Sequence, residues 1–278
     1  MTDIGIVGPV LIIVNVLFSY KGFTNQLLFD SYKFEVDRIL IDKDSKRLVT
    51  SGFLHVGWIH LIFNMLSLYA FSDFLELYLG KLNFLLLYFS SLIGGSLLSL
   101  FVHRNHGDYS AVGASGAVSG VIFASIALFP DVEIGLLGVP LYFPGWLYGI
   151  VYVGYSIYGI KSDKDNIGHE AHLGGALVGM LVAVILEPGA WVENYRTILL
   201  IALPALFFIY LIATRPHILL IGSQSFSVRA RHYDIDHRYN EEKVNKEKEL
   251  DKLLDKIKRK GMGSLSKKEK EDLEKYSK

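Results

Sequence analysis

The 278-residue chain contains no cysteine. Disulfides, thiol nucleophiles and Cys-ligated metal sites are excluded together, while the compartment is left open. Net charge is absent as well, since 28 Lys and Arg balance 28 Asp and Glu. Without a basic excess the chain lacks the electrostatic footprint of a nucleic-acid binder. The scarcest commodity is charge in the middle of the sequence. Only seven charged residues lie between Phe53 and Ile160: Asp73, Glu76, Lys81, Arg104, Asp108, Asp131 and Glu133. A soluble domain needs a charged outer face over such a length, so an ordinary soluble globular enzyme does not fit.

Long apolar runs take the place of that charge. Seven stretches are free of Asp, Glu, Lys and Arg: 4–20, 48–72, 82–103, 109–130, 134–160, 171–186 and 197–214. A helix needs about 20 residues to cross a ~30 Å hydrocarbon core, with ~17 as the lower end. These segments are apolar all round and carry no charged stripe of period 3.6, which argues against a large soluble bundle. The pattern predicts an all-α, polytopic membrane helical bundle with up to seven spans. The first residues carry Asp3 and no basic side chain, so the first run is expected to be a retained helix and not a signal peptide. The stretch 21–47 is too long for a tight turn and too apolar (Leu27, Leu28, Phe29, Ile39, Leu40, Ile41) for a plain solvent linker; it is expected to fold against the interface.

The last 58 residues, 221–278, are a different compositional zone, with 16 Lys and Arg and 12 Asp and Glu. Apolar Val244, Leu250, Leu253, Leu254 and Ile257 fall near helical spacing over 241–260. Gly261 and Gly263 read as a stop, and Ser266 with Glu269 reads as a capping box opening a second helix. The zones are therefore 1–190, which holds the first six runs; 191–220, a seventh apolar run with its flanks; and 221–278, a charged two-helix tail. No internal repeat is visible.

Polar groups at bilayer depth are costly and mark functional sites. Three clusters stand out: His55, His60 and Asn64 in the second run; Gly113-Ala114-Ser115-Gly116 opening the fourth; and His169-Glu170-Ala171-His172-Leu173-Gly174-Gly175 opening the sixth. Consecutive spans alternate direction, so the starts of spans two, four and six meet at one membrane face. His60 and Asn64 lie one turn apart on one helix face. From Ser115 to Pro130 there are about 15 residues, roughly 22 Å of helix, against a ~30 Å core. Ser115 is thus expected below the surface, reached by a polar cavity. A serine hydroxyl needs a base, and neutral His172 supplies one. The amides at a helix start, with Asn64 and His60, can donate to a developing oxyanion. Gly116 and Gly120 on span four, and Gly175 and Gly179 on span six, form small-xxx-small faces that let the two backbones approach closely.

The residues His60-xxx-Asn64, Gly113-Ala114-Ser115-Gly116 and Ala171-His172-Leu173-Gly174-Gly175 resemble, in order and placement, the three signature motifs of the rhomboid family of intramembrane serine proteases. The resemblance covers roughly residues 1–190. It implies a six-helix core, Ser115 as nucleophile, His172 as base, and an oxyanion site from Asn64, His60 and the Ser115 amide. It further implies that Glu76 and Arg47 brace the core, and that the seventh span and charged tail are additions found on some members. It implies transmembrane proteins as substrates, the bilayer as environment, and no metal or organic cofactor. Two positions depart from the family pattern. Ser119 stands where many bacterial relatives have a tyrosine stacked on the histidine, which leaves open what packs on His172. Lys46-Arg47 stands where a Trp-Arg pair is common.

Other readings of the same residues are blander. His55 is out of register with His60 and is expected to make a structural hydrogen bond; His103 and His106 are expected to be solvated in a polar loop. His169 and His172 are spaced i and i+3, where metalloprotease chemistry wants i and i+4 with Glu between them, so no metal site is assigned. A non-catalytic membrane factor that binds client helices could use the same scaffold, and the intact Ser115 and His172 argue against it. A transporter would show repeat symmetry. Nothing in the sequence sets an oligomeric state. Orientation divides the signals: nine basic residues follow spans one, three and five, and two (Lys81 and Arg196) follow spans two, four and six. The positive-inside rule then puts the site face in the cytoplasm, while the family resemblance implies that it opens away from it.

Overall fold

The structure is a computed structural model that describes residues 5–135, 141–162, 167–214, 256–258, 265–266 and 269. The chain divides into two compact units, Met1–Leu220 and Ile221–Lys278. In the first, seven longer helices follow one another: α1 (Val7–Thr24), then α5 (Trp58–Leu79), α6 (Lys81–Val102), α7 (Ser115–Leu128), α8 (Gly145–Ser162), α9 (His169–Leu186) and α10 (Gly189–Thr214). Between α1 and α5 lie three short helices, α2 (Gln26–Tyr32), α3 (Val36–Leu40) and α4 (Arg47–Thr50), and a 3-10 turn at Ser51–Phe53. Four short strands are present among the described residues. β1 (Phe34–Glu35) pairs antiparallel with β2 (Ser110–Ala111), and β3 (Glu133–Gly135) with β4 (Tyr142–Pro144). The architecture is an all-α, polytopic membrane bundle. Helices α1, α5, α6, α9 and α10 are long and apolar enough to cross a membrane, and α7 is a shorter apolar helix.

Several helix ends differ from the charge-free runs, and each difference has a physical cause. The second run stops at Ser72, yet α5 continues through Asp73 and Glu76 to Leu79. Those carboxylates are not stray charges. Asp73 accepts the Gly5 N–H at 2.8 Å, and Glu76 accepts those of Ile6 and Val7 at 2.8 Å and of Gly8 at 3.1 Å. The first amides of a helix have no partner of their own, and buried Glu76 supplies one for α1. Its bracing role is therefore that of a cap on a neighbouring helix. The same run starts ten residues early: 48–57 is apolar but holds α4, the 3-10 turn and an extended connection, with Gly57 at φ −179. Residues 109–114 likewise lead into α7 as strand and extended chain, and 134–144 includes the β3–β4 ribbon. Lack of charge marks burial, not helix. Pro204 sits inside α10 without interrupting it, and α10 begins at Gly189, eight residues before the seventh apolar run.

Arg47 braces the first connection. Its guanidinium donates to the Asp30 and Lys33 carbonyls at 2.9 and 2.7 Å and pairs with Asp44 at 3.0 Å. The segment 21–47 is thus tied into the fold. Helix α7 lies at the centre, with every residue from Gly116 to Leu128 buried. Its last carbonyls, Ala127 and Leu128, accept the side-chain amide of Asn194 on α10 at 3.0 Å each. The seventh helix therefore caps the central one.

Of the second unit, Lys256–Lys258 is helical, and the Ser266–Glu269 capping box is formed. Glu269 accepts the Ser266 N–H at 2.7 Å while its own N–H donates to Ser266 Oγ at 3.3 Å. The rest of the expected first tail helix, 241–255 and 259–260, and the stop at Gly261 and Gly263 lie outside the described residues.

Candidate functional site

At 14 residues α7 measures about 21 Å, shorter than the ~30 Å core. Its first residue is Ser115, so the hydroxyl sits at the N-terminal end of the buried central helix. What brings a second helix to that end is the absence of side chains. A Cβ on Gly175 would collide with the Gly116 carbonyl, and one on Gly179 with the Gly120 backbone. The two glycine faces are the contact between α7 and α9, and one turn before Gly175 lies His172. Its Nε2 is 2.7 Å from Ser115 Oγ. A hydrogen bond of that length between a hydroxyl and a ring nitrogen has the reach that general-base chemistry requires.

The other residues of the site arrive from α5 and from the segment before Ser115. Gly113 has φ +136, a conformation that L side chains rarely adopt. A Cβ there would also lie 2.8 Å from His60 Cε1 and 3.0 Å from His60 Nε2, so the His60 ring rests on Gly113 beside Ser115. Asn64, one turn further along α5, is buried and donates one amide hydrogen to the His60 carbonyl at 2.9 Å. Its NH2 group has a second hydrogen. His55 makes the structural bonds expected of it: Nδ1 is 2.8 Å from Ser19 Oγ on α1, and Nε2 accepts the Ala114 N–H at 3.5 Å. Its ring meets His60 edge-on at 4.8 Å. The Ser51 carbonyl accepts the Gly113 N–H at 3.0 Å. The turn preceding Ser115 is therefore held from α1, α5 and the first connection together.

Two expectations are completed or corrected here. Two rings neighbour His172 where Ser119 left the packing open: His169, edge-on at 6.0 Å, and Tyr152 on α8. For Tyr152 the contacts are specific. Its hydroxyl lies 2.5 Å from Ser119 Oγ, and its ring is centred 6.2 Å from that of His172 at 32°. Ser119 already donates its single hydrogen to the Ser115 carbonyl at 2.7 Å, so Tyr152 is the donor to Ser119. A small serine on α7 leaves room for an aromatic from another helix. His103 is not a solvated loop residue. It pairs with Glu170, and its ring stacks on Tyr109 at 3.5 Å and 6°. His106 lies beyond it, 5.8 Å between ring centres. The sequence marked Glu170 as part of a polar cluster but not its partners, and it did not single out Tyr109 or Tyr152, because each partner is far away along the chain.

Fold and site together define a polytopic helical membrane protein in which a serine and an imidazole meet at the N-terminal end of its central helix. The chain belongs to the rhomboid family: the Rhomboid domain model matches residues 43–188. It is similar to RHOMBOID-like protein 12, mitochondrial, of Arabidopsis thaliana, 28% identical over 200 residues, 66% of this chain and 59% of that protein. It is 34% identical over 157 residues to Rhomboid protein 1, mitochondrial, of Saccharomyces cerevisiae, covering 54% of this chain and 45% of the relative. Rhomboid protease GluP of Bacillus subtilis is 27% identical over 192 residues, 68% of this chain and 36% of its own length. The chain thus spans between about one third and three fifths of these relatives. The tail has its own match, Family of unknown function (DUF6576), over residues 233–278.

Proposed function

We propose that the chain is an intramembrane serine endopeptidase that cleaves transmembrane proteins with a Ser115–His172 dyad. The observation that carries this reading is the 2.7 Å approach of His172 Nε2 to Ser115 Oγ at the start of α7. Neutral His172 takes the Ser115 proton as Oγ attacks the scissile carbonyl, forming a tetrahedral oxyanion. The Ser115 amide, the second Asn64 amide hydrogen and a His60 Nε2–H are the donors for that oxygen. Collapse of the intermediate breaks the peptide C–N bond, and the imidazolium returns the proton to the leaving amine. Water then attacks the acyl ester on Ser115 with His172 again as base, releasing the carboxylate product. No step calls for a metal or organic cofactor. A substrate carbonyl inside a helix is already hydrogen-bonded and shielded, so segments of transmembrane helices that unwind readily are the favoured substrates.

The test is cleavage of a single-span protein in proteoliposomes by the wild type, Ser115→Ala and His172→Ala. The wild type alone cleaves, and a chelator has no effect. Equal cleavage by all three would overturn the mechanism.

The site is proposed to open on the non-cytoplasmic face, following the family and against the count of basic residues. Because the chain lacks cysteine, single cysteines report sidedness cleanly. Exposed Asp108 and Asp131 stand after α6 and α7, on opposite faces. In intact cells an impermeant maleimide labels Asp108→Cys and spares Asp131→Cys; the reverse pattern puts the site in the cytoplasm.

A further inference from the structure

Glu170 is the second residue of α9 and is only 5% exposed. A buried carboxylate must be partnered, and two different segments provide for it. Tyr109 donates its hydroxyl to Oε1 at 2.9 Å, and the His103 ring pairs with the same oxygen. His103 is the C-cap residue that follows α6, and its imidazole lies flat on the Tyr109 ring. Tyr109 also meets Phe34 edge-on at 6.1 Å, and its carbonyl accepts the Val36 N–H at 3.2 Å. Tyr109 is thus held in place before it reaches the carboxylate.

The sequence positions of these partners give the cluster its meaning. Tyr109 precedes Ser115 by six residues on the non-helical segment that delivers the nucleophile; Glu170 precedes His172 by two in the first turn of α9. The same two segments are therefore joined twice, by Ser115–His172 at 2.7 Å and by Tyr109–Glu170 at 2.9 Å. The glycine contact between α7 and α9 fixes the helices beyond this point, whereas the N–H groups of Gly113 and Ala114, just before Ser115, bond to Ser51 and His55 rather than to α9. A second tie on the outer side closes that gap. We propose that Glu170, gripped by Tyr109 and His103, is a positioning residue that holds His172 within hydrogen-bonding distance of Ser115. The inference rests on the serine-protease reading for its kinetic consequence but not for its geometry.

Three variants separate the contributions. Tyr109→Phe keeps the stack on His103 and removes one hydroxyl. Glu170→Ala removes the acceptor altogether, while Glu170→Gln keeps an acceptor for Tyr109 without the charge. In proteoliposomes Tyr109→Phe and Glu170→Ala lower kcat by about 10- to 100-fold with KM within about twofold, and Glu170→Gln recovers most of the loss. Nitrogen-15 NMR of histidine-labelled protein reads the same geometry without substrate: the His172 Nε2 signal moves toward that of an imidazole lacking the serine hydrogen bond in Tyr109→Phe and Glu170→Ala. An unchanged His172 signal in both overturns the proposal whether or not the wild type cleaves. So does a fall in activity that follows only the folded fraction. A wild type that cleaves nothing, with the His172 signal shifting as expected, removes the protease reading and leaves the positioning intact.

Discussion

Gly175→Ala adds one methyl group at the closest approach of the two helices that carry Ser115 and His172. That methyl would press on the Gly116 carbonyl oxygen and lie 2.7 Å from its carbon and 3.0 Å from the Gly116 Cα. Carbon atoms in comfortable contact stand at about 3.5–4.0 Å. The helices must therefore part by about 1 Å, and both contacts are backbone, so no side chain can swing aside. Gly116 adjoins Ser115, and Gly175 is one turn from His172. The same displacement takes the 2.7 Å Ser115–His172 distance to about 3.7 Å, outside hydrogen-bonding range. Overpacking costs about 1–3 kcal/mol, and replacing a helical glycine by alanine returns about 1 kcal/mol. The variant should accordingly remain folded, while cleavage in proteoliposomes falls by about 100-fold, the usual consequence of an ångström of misplacement. Gly154→Ala is the control, since a Cβ there meets nothing within 4 Å; it cleaves at the wild-type rate. A folded Gly175→Ala protein with wild-type activity would refute the claim that glycine packing sets the distance.

Three further outcomes follow from other contacts. Glu76→Ala strips three amides of α1 of a charged acceptor; at about 1–3 kcal/mol for each buried donor, partly relieved by water, the loss is about 3–5 kcal/mol. Thermal unfolding in detergent should then fall by about 10 °C, and a shift of a degree would contradict the capping role. Tyr152→Phe and Ser119→Ala, alone and combined, should show a coupling of about 1 kcal/mol in unfolding free energy, whereas additive effects would deny the hydrogen bond between them. In the tail, the hydrogen bond from Lys256, followed by those from Ser266, holds the Glu269 carboxyl at about 2 against an ordinary 4.5. Because the folded value is depressed, the contribution to the capping box is complete above about pH 4.5 and is lost as pH falls through about 2. Carbon-13 NMR of the Glu269 carboxyl in the full chain checks this: Lys256→Met moves the midpoint up toward 4.5, and a wild-type midpoint already near 4.5 would contradict the ion pair.

The seven longer helices were legible because water-free surroundings demand uncharged side chains over a fixed length. Their ends were not, for a reason common to several of them. Asp73, Glu76, Glu170, Glu193 and Arg196 all lie inside helices. The first three are satisfied by partners on other segments, which composition does not reveal. Conversely, 48–57 and 109–114 are uncharged yet irregular, because their backbone groups bond across the fold to the first connection and the site. Ser115, His172, His60 and Asn64 could be assembled from alternation of spans, since parity needs only the order of elements. Tyr152 could not: one tyrosine among several on α8 carries no mark of its neighbours, and the sole hint was the unusual serine at 119. Arg47 was singled out only through the family resemblance, and its carbonyl partners at Asp30 and Lys33 belong to a connection without periodicity.

The account stands on an activated Ser115, and a fluorophosphonate that reacts only with such a hydroxyl tests it most directly. The full-length protein in proteoliposomes should take up one equivalent of probe, mapped by mass spectrometry to the peptide containing Ser115. Ser115→Ala and His172→Ala should take up none. Labelling of the wild type elsewhere, or undiminished labelling of Ser115 in His172→Ala, would contradict the dyad.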